Sequence, residues 1–339
     1  MNLKQSVLTA AVAATMAMAS GQAAAYVYAN SALSVDQLVI GLTGPGTVNI
    51  GGFLFTETNT ATLNGASSPT QSATCGGTPA GNTCSAVPPV LDAQPANAPG
   101  STTIRTNNAG NPSELTSYGT AVGGNYSNSD SVANTAELVQ LGSPTSTRQI
   151  AESLLTSGAT ASANAEIQSV TGFELTFTVT GGTQNLSLSY IADPSLSAQI
   201  FNEVGLLSQA NLQTTFSLKS DNGTSVTWTP NGTPLINDCS ATLATCTETA
   251  DSQDLGVSVA QFGNGTNSSS FDPNTLDETP FGINITGLTA GTYTLTLDAI
   301  TSTQLIRTTA VVPEPGILAL LGVGLVGAFA STRRRRKTA

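Results

Sequence analysis

Apolar and polar side chains alternate along much of the second half of the chain, which is the pattern of a strand with one buried face. The alternation is clearest at residues 173–179 (FELTFTV) and 186–191 (LSLSYI), and a Gly-Gly pair lies between the two segments. Similar segments bounded by turn residues, such as Asp221-Asn222-Gly223, continue to residue 309. About seven or eight strands between residues 170 and 310 predict an all-β protein, for which a β-sandwich is the natural architecture.

The segment 287–295 (GLTAGTYTL) runs from a turn into a strand. It resembles an element near the end of many fibronectin-like and immunoglobulin-like sandwiches, in which the Leu and the Tyr pack at a corner of the sandwich. We therefore expect an immunoglobulin- or fibronectin-like β-sandwich with long loops rich in Ser, Thr, Asn and Gly.

The chain before residue 146 is less regular. Short apolar segments at residues 38–40, 48–50 and 53–55 predict strands, and a Gly-Pro-Gly turn signal follows the first of them. These strands either join the same sandwich or form a region of their own. Residues 64–112 are dominated by Pro, Gly, Ser, Asn and Ala, which is typical of a long loop region that is partly disordered.

Residues 148–155 (RQIAESLL) are the one helix candidate, because their apolar positions follow helical spacing for about two turns. The same stretch is also compatible with strands. The predicted organisation is therefore a region of loops and some strands at 26–145, followed by a β-sandwich region at 146–311.

The N-terminus is typical of an exported protein. Lys4 supplies a positive charge, residues 7–19 are largely apolar, and Ala23-Ala24-Ala25 offers small side chains for cleavage. We expect a secretory signal peptide over residues 1–25 that is cut after Ala25.

The C-terminal tail, residues 312–339, has three parts. The tripeptide Pro313-Glu314-Pro315 is stiff and extended, because proline restricts its own backbone and that of the residue before it. Residues 316–330 contain only apolar side chains and glycine, so a single transmembrane helix is predicted over 316–332. The basic run that follows is the expected stop-transfer signal and consists of Arg333, Arg334, Arg335, Arg336 and Lys337. Moving these charges across the bilayer is costly, so we expect this end of the chain to stay in the cytoplasm.

This order of parts resembles the PEP-CTERM sorting signal of Gram-negative bacteria, over residues 312–337 only. In that family an exosortase, a membrane enzyme, recognises the tail, and the protein passes to the cell surface, commonly in bacteria that make exopolysaccharide, biofilm or flocs. The resemblance implies that Pro313, Glu314 and Pro315 are recognised, and that a transient inner-membrane stage precedes the cell surface or extracellular matrix. The alternative is an ordinary tail anchor in which the tripeptide is an incidental linker.

The expected exported part, residues 26–311, is strongly acidic. It contains 4 basic and 20 acidic residues, because Lys4 and the five basic residues of the tail lie outside it, so its net charge is near −16. Phosphate binding needs a basic face, which argues against nucleic acid as a partner. Strong negative charge on a Ser-, Thr- and Asn-rich body suits a soluble, self-repelling surface protein in a polysaccharide matrix.

The four cysteines fall into two local pairs, Cys75 with Cys84 and Cys239 with Cys246. In an exported chain an even number of cysteines predicts disulfides, and we expect this sequential pairing among the three that four cysteines allow. Structural zinc is not expected, because the ligand spacing does not match and the chain has no histidine.

Catalytic chemistry has little support in the sequence. Without histidine, a Ser-His-Asp or Cys-His arrangement is impossible. The obvious carboxylate pairs for a glycosidase are Asp251 with Asp254 and Asp277 with Glu278, but they lie in turn-rich segments, and the body has few aromatic side chains for a sugar cleft. We expect no catalytic residues and no enzyme activity.

Calcium is the one cofactor that the sequence suggests. The loop at residues 272–278 (DPNTLDE) offers the oxygen ligands that Ca²⁺ prefers, from Asp272, Asn274, Asp277 and Glu278. The spacing is not that of an EF-hand, and the same residues also suit an ordinary solvated turn.

These observations predict a non-enzymatic exported protein that an exosortase processes and that acts structurally or adhesively in exopolysaccharide, biofilm or floc. A calcium-assisted carbohydrate-binding module is the alternative function. A secreted hydrolase is the third and weakest hypothesis.

Overall fold

A computed structural model describes residues 25–78, 81–82, 91–93, 125–133, 145–156, 164–202, 206–233, 237–269 and 279–306. Every regular element in these ranges is a strand, so the prediction of an all-β protein is confirmed. No helix in this part of the chain has the length and apolar character needed to cross a membrane. The expected signal peptide, apart from Ala25, and the expected helix at 316–332 lie outside the described residues.

The strands are, in chain order, β1 (Tyr26–Thr43), β2 (Thr47–Leu63), β3 (Ala66–Ser67), β4 (Gln71–Thr78), β5 (Gly81–Asn82), β6 (Leu91–Ala93), β7 (Tyr126–Ala133), β8 (Thr145–Thr156), β9 (Asn164–Thr180), β10 (Gln184–Phe201), β11 (Leu207–Ser220), β12 (Ser225–Trp228), β13 (Ser240–Thr242), β14 (Thr245–Asp251), β15 (Ser258–Phe262), β16 (Gly265–Ser268), β17 (Thr279–Leu288) and β18 (Gly291–Ile306).

The strands form two sheets. In sheet A the strand order is β14-β17-β10-β1-β8-β7-β6, and β16 also pairs with β10. In sheet B the order is β13-β12-β11-β18-β9-β2-β4-β5, and β15 and β3 pair with β11 and β2. Apolar side chains from both sheets form one large buried cluster, so the sheets pack face to face with the core between them.

The first and last long strands lie inside the sheets and not at their edges. β1 is hydrogen-bonded to β10 on one side and β8 on the other, and β18 lies between β11 and β9. β2 pairs with β9 from Thr47 to Leu63. Residues 26–63 therefore contribute to the same two sheets as the strands after residue 146, which answers the question that the sequence left open.

Both ends of the described chain lie at the same end of the sandwich. Tyr26, at the start of β1, pairs with Thr156, and Ile306, at the end of β18, pairs with Asn164. The strands β8 and β9 that hold these partners are consecutive in the chain. In addition, Ser208 Oγ, close to the pairing partner of Ile306, donates a hydrogen bond to the carbonyl oxygen of Tyr28.

The predicted corner element is part of the core. Leu288 and Tyr293 are both fully buried, and the Tyr293 ring stacks on Phe177 with ring centroids 5.2 Å apart. The Tyr293 hydroxyl donates a hydrogen bond to the carbonyl oxygen of Thr289 at 2.8 Å, which satisfies the phenol and ties the strand to its own turn.

The helix candidate at residues 148–155 is wrong, because these residues lie within strand β8. All seven residues from Gln149 to Leu155 are buried, including polar ones such as Glu152 and Ser153. A strand buried on both faces has no alternation of apolar and polar positions. The helical spacing of its apolar residues therefore carried no information about the backbone.

Part of the segment predicted as a loop, residues 64–112, is also in strands. β4 pairs with β2 from Phe53 opposite Gly77 to Asn59 opposite Gln71. β5 and β6 extend the two sheets further. Ala66–Ser67 forms the short strand β3 beside β2, and residues 79–80, 83–90 and 94–112 lie outside the described residues.

The interior between β2, β7 and β8 is polar. Glu57 and Asn59 occupy inward positions of β2 and are fully buried. Asn59 Nδ2 donates to Ser131 Oγ at 3.0 Å, and Thr171 Oγ1 donates to Gln149 Oε1 at 3.1 Å, so hydrogen bonds cross from sheet B to sheet A. In this half of the sandwich the fit of the sheets depends on matched donors and acceptors as well as on apolar contact.

Glu57 departs from this matching, since neither of its carboxylate oxygens has a hydrogen-bond partner among the described residues. Burial raises the pKa of Glu57 from its ordinary value of 4.5 to about 8. Between these two pH values the folded chain retains a proton that the unfolded chain has lost. Folding stability therefore falls as the pH rises through this window.

The substitution Glu57→Gln should remove this loss of stability. At pH 5 the variant should resemble the wild type, because glutamine mimics the protonated acid. At pH 8.5 its free energy of unfolding should be higher by up to roughly 5 kcal/mol, given about 1.4 kcal/mol for each unit of pKa shift. Urea denaturation at both pH values measures the difference.

The matched control is Glu174→Gln, which removes the same group from an exposed position on β9. The control should keep the fall in stability between pH 5 and pH 8.5, because Glu57 is unchanged in it. An unchanged pH dependence in the Glu57→Gln protein would contradict the assignment of a buried, neutral Glu57.

Candidate functional site

One edge of the sandwich is closed by a disulfide. β13 is an edge strand of sheet B and β14 an edge strand of sheet A, and only residues 243–244 separate them, so the chain passes here from one sheet to the other. Cys239, just before β13, is bonded to Cys246 in β14, with Cα atoms 5.8 Å apart. This bond is the one that pairing the cysteines in sequence order predicts. Both cysteines are buried, so the link is part of the core.

Three carboxylates gather beside the disulfide. Asp238, Glu248 and Asp251 each place a carboxylate oxygen within 4.8 Å of the other two. Glu248 and Asp251 are three positions apart, so a regular strand would direct them to opposite faces. The pairing of β14 with β17 shifts its register between Glu248 and Ala250, and this irregularity brings both side chains to one side. We call these three residues the carboxylate cluster.

Asp251 is the fixed member of the cluster. It is fully buried, and its Oδ2 accepts hydrogen bonds from the backbone N–H groups of Asn231 (2.9 Å) and Gly232 (3.0 Å). Gly232 has a φ of 76°, and a Cβ at this position would lie 2.8 Å from the backbone nitrogen of Asp254, so the turn requires glycine. Asp251 Oδ1 has no hydrogen-bond partner among the described residues.

Glu248 is half-buried and is oriented by the only tryptophan of the chain. Trp228 Nε1 donates a hydrogen bond to Glu248 Oε2 at 2.9 Å. Burial raises the pKa of Glu248, the hydrogen bond from Trp228 opposes that rise, and the charges of Asp251 and Asp238 add to it. The pKa of Tyr190 is also raised, by burial and then by the charge of Asp251.

The cluster has no basic partner among the described residues. The ion pair in this part of the chain joins Arg148 to Asp36 at 3.3 Å, and neither residue belongs to the cluster. Asp238 Oδ2 is buried and, like Asp251 Oδ1, has no hydrogen-bond partner in the same ranges. Three acidic side chains, with two buried oxygens that lack a donor, therefore lie together, and no described basic side chain offsets their charge.

The sequence contained one signal that sequence analysis missed. Asp238 directly precedes Cys239, and Glu248 follows Cys246 by two positions. A disulfide between these two cysteines draws both acids together. The sequence places Asp251 close to Asp254. Asp254 Oδ1 accepts a hydrogen bond from the backbone N–H of Gly256 at 2.7 Å, as an ordinary turn residue does.

The other predicted site residues have different outcomes. Cys75 lies in β4 and is disulfide-bonded, whereas Cys84 lies outside the described residues. The expected calcium ligands and the sorting tail are outside them as well: Asp272, Asn274, Asp277 and Glu278, together with Pro313, Glu314, Pro315, Arg333, Arg334, Arg335, Arg336 and Lys337.

Trp228 belongs to the core and not to the surface. It is 1% exposed and makes an edge-on contact with Tyr190, which stacks on Phe281. An apolar pocket beside it is lined by side chains of both sheets, including Leu33 of β1 and Phe216 of β11. A buried indole offers no platform on which a sugar ring could stack, so the only tryptophan gives no support to surface carbohydrate binding.

Comparison with known protein families gives a match in the C-terminal tail. The family model for the PEP-CTERM protein-sorting motif matches residues 311–336, which confirms the resemblance found from the tripeptide, the apolar run and the basic residues. The motif implies exosortase as the processing enzyme and export through a membrane-anchored stage. No curated protein and no solved structure showed a significant match to the chain.

The double substitution Cys239→Ser/Cys246→Ser should destabilise the protein by roughly 2.5 kcal/mol, because the loop that the disulfide closes is short. Trp228 donates a hydrogen bond to Glu248 in β14, the strand that holds Cys246, so its fluorescence should follow the unfolding in urea. The wild type with its disulfides intact is the reference. A loss below about 1 kcal/mol would contradict a structural role for this bond.

Proposed function

We propose that this chain, which carries a PEP-CTERM sorting motif at residues 311–336, is a non-enzymatic surface or matrix protein of a Gram-negative bacterium. Exosortase removes its tail at the inner membrane. The β-sandwich body then acts structurally or adhesively in exopolysaccharide, biofilm or floc. The sorting motif is the observation that carries this proposal.

The sorting steps follow from the parts of the tail. The secretory signal peptide is cut after Ala25, and β1 begins directly afterwards, at Tyr26. The helix at 316–332 then holds the chain in the membrane, with the basic run in the cytoplasm. Exosortase recognises the extended Pro313-Glu314-Pro315 segment on the other side.

The body suits an extracellular role. Disulfides form outside the cytoplasm, and the described cysteines are all bonded. The net charge near −16 of residues 26–311 keeps copies apart and favours solubility in a polysaccharide matrix. The two antiparallel sheets and the buried corner residues Leu288 and Tyr293 support an immunoglobulin- or fibronectin-like architecture.

The absence of histidine from the chain supports the proposal that it is not an enzyme. Asp251, one of the carboxylates considered for hydrolysis, is fully buried and accepts two backbone hydrogen bonds, which suits a structural acid better than a catalytic one. The alternative, a calcium-assisted carbohydrate-binding module, would rest on Asp272, Asn274, Asp277 and Glu278, which lie outside the described residues.

Replacing Pro313-Glu314-Pro315 with three alanines should leave the full-length protein in the inner membrane, because exosortase no longer recognises the tail. Cell fractionation and the intact mass of the recovered protein measure this. The matched control is Pro88→Ala/Pro89→Ala, which removes two prolines outside the tail and should be processed normally. Unchanged release of the alanine variant would refute the sorting role.

Deletion of the gene should reduce floc or biofilm formation, measured by settling and by retained matrix polysaccharide. The wild-type gene should restore both. The alanine variant of the tripeptide should not, because its product stays at the inner membrane. Normal flocs in the deletion strain would contradict the matrix role while leaving the sorting motif in place.

A further inference from the structure

We infer that Asp238, Glu248 and Asp251 bind a calcium ion at the edge where the chain passes from sheet B to sheet A. The site goes beyond the proposed sorting and matrix function. It is also distinct from the loop at residues 272–278 that the sequence suggested.

The spacing of the carboxylate cluster matches one ion. Its oxygens lie within 4.8 Å of one another. Two oxygens on opposite sides of a Ca²⁺ are about 4.8 Å apart, since each is about 2.4 Å from the ion. Three oxygens within this distance of one another lie no more than about 2.8 Å from a common point, so a small adjustment lets a single cation contact all three side chains.

Buried acceptors without donors provide the second and independent observation. Asp251 is fully buried, and two backbone N–H groups fix its Oδ2, yet its Oδ1 has no hydrogen-bond partner among the described residues. Asp238 Oδ2 is buried and unpartnered in the same sense. A buried carboxylate oxygen is costly unless a donor or cation satisfies it, and no described basic side chain pairs with the cluster.

The ligand chemistry selects a hard cation. All three ligands are carboxylates, the chain has no histidine, and the nearby cysteines are consumed by their disulfide. Zinc and copper favour nitrogen and sulfur ligands, whereas calcium takes oxygen ligands in flexible geometry and completes its shell with water. Magnesium demands stricter octahedral geometry and dehydrates reluctantly, so Ca²⁺ suits three protein oxygens better.

A cation here would act on the sandwich itself. Asp238 lies beside the disulfide before β13 in sheet B, while Glu248 and Asp251 lie in β14 in sheet A. An ion shared by these residues links the two sheets at an edge that the disulfide already ties. Binding should therefore stabilise the folded state, because the three ligands come together only there.

The test uses the full-length protein, purified in detergent and dialysed against EGTA, and titrated with CaCl₂. Trp228 is the only tryptophan and donates its hydrogen bond to Glu248, so its fluorescence reports directly on the cluster. We expect a saturable change in fluorescence at calcium concentrations up to about 1 mM, the range of extracellular calcium modules. The Tm should rise by about 3 °C or more at saturation.

Two variants remove ligands. Glu248→Gln/Asp251→Asn should weaken calcium binding at least tenfold by isothermal titration. Asp238→Asn alone should weaken it while leaving the buried hydrogen bonds of Asp251 intact, so it remains informative if the double variant does not fold. Glu174→Gln, on the exposed face of β9, removes one charge away from the cluster and should bind calcium as the wild type does.

Several results would overturn the inference. One is the absence of any calcium response at about 10 mM. Tighter binding of MgCl₂ than of CaCl₂ is another. A response that survives in the cluster variants but disappears in Asp272→Asn/Asp277→Asn would place the site in the 272–278 loop. Each result concerns the purified chain, so none bears on sorting of the tail.

Discussion

The fold depends on the insertion of the last described strand, β18, into the middle of a sheet. β18 is hydrogen-bonded to β9 along Gly291–Ile306 and to β11 from Tyr293 to Ile306. β1 has the corresponding place in sheet A, between β10 and β8. Neither sheet is continuous until strands that are far apart in the chain have paired. The core requires this long-range pairing, because its apolar side chains come from strands throughout both sheets.

The sequence predicted those strands that have one face in the core and one in solvent. Residues 173–179 and 186–191 alternate visibly because their outward positions are polar. β8 could not be told from a helix because Gln149–Leu155 is buried throughout. β7 (YSNSDSVA) gave no strand signal because its buried positions are mostly polar. Hydrophobic periodicity cannot reveal a strand whose interior contacts are hydrogen bonds.

The candidate site was less predictable than the strands. The sorting tail could be recognised because its meaning lies in consecutive residues. The carboxylate cluster depends instead on a disulfide, a register shift in β14 and a turn at Gly232, and only the first of these leaves a trace in the sequence. A cluster assembled by tertiary structure has no local motif. Searching for acids beside paired cysteines would have found Asp238 and Glu248 but not Asp251.

The position of both chain ends at one end of the sandwich has a mechanical consequence. β18 ends at Ile306, so a tension applied through the residues that follow it enters the body at the end of this strand. Hydrogen bonds in an antiparallel sheet run perpendicular to the strands, so a pull along β18 loads them in shear and all at once. If the body is held at this end and is attached to its surroundings through the turns at the opposite end, the hydrogen bonds along the whole of β18 would resist extension.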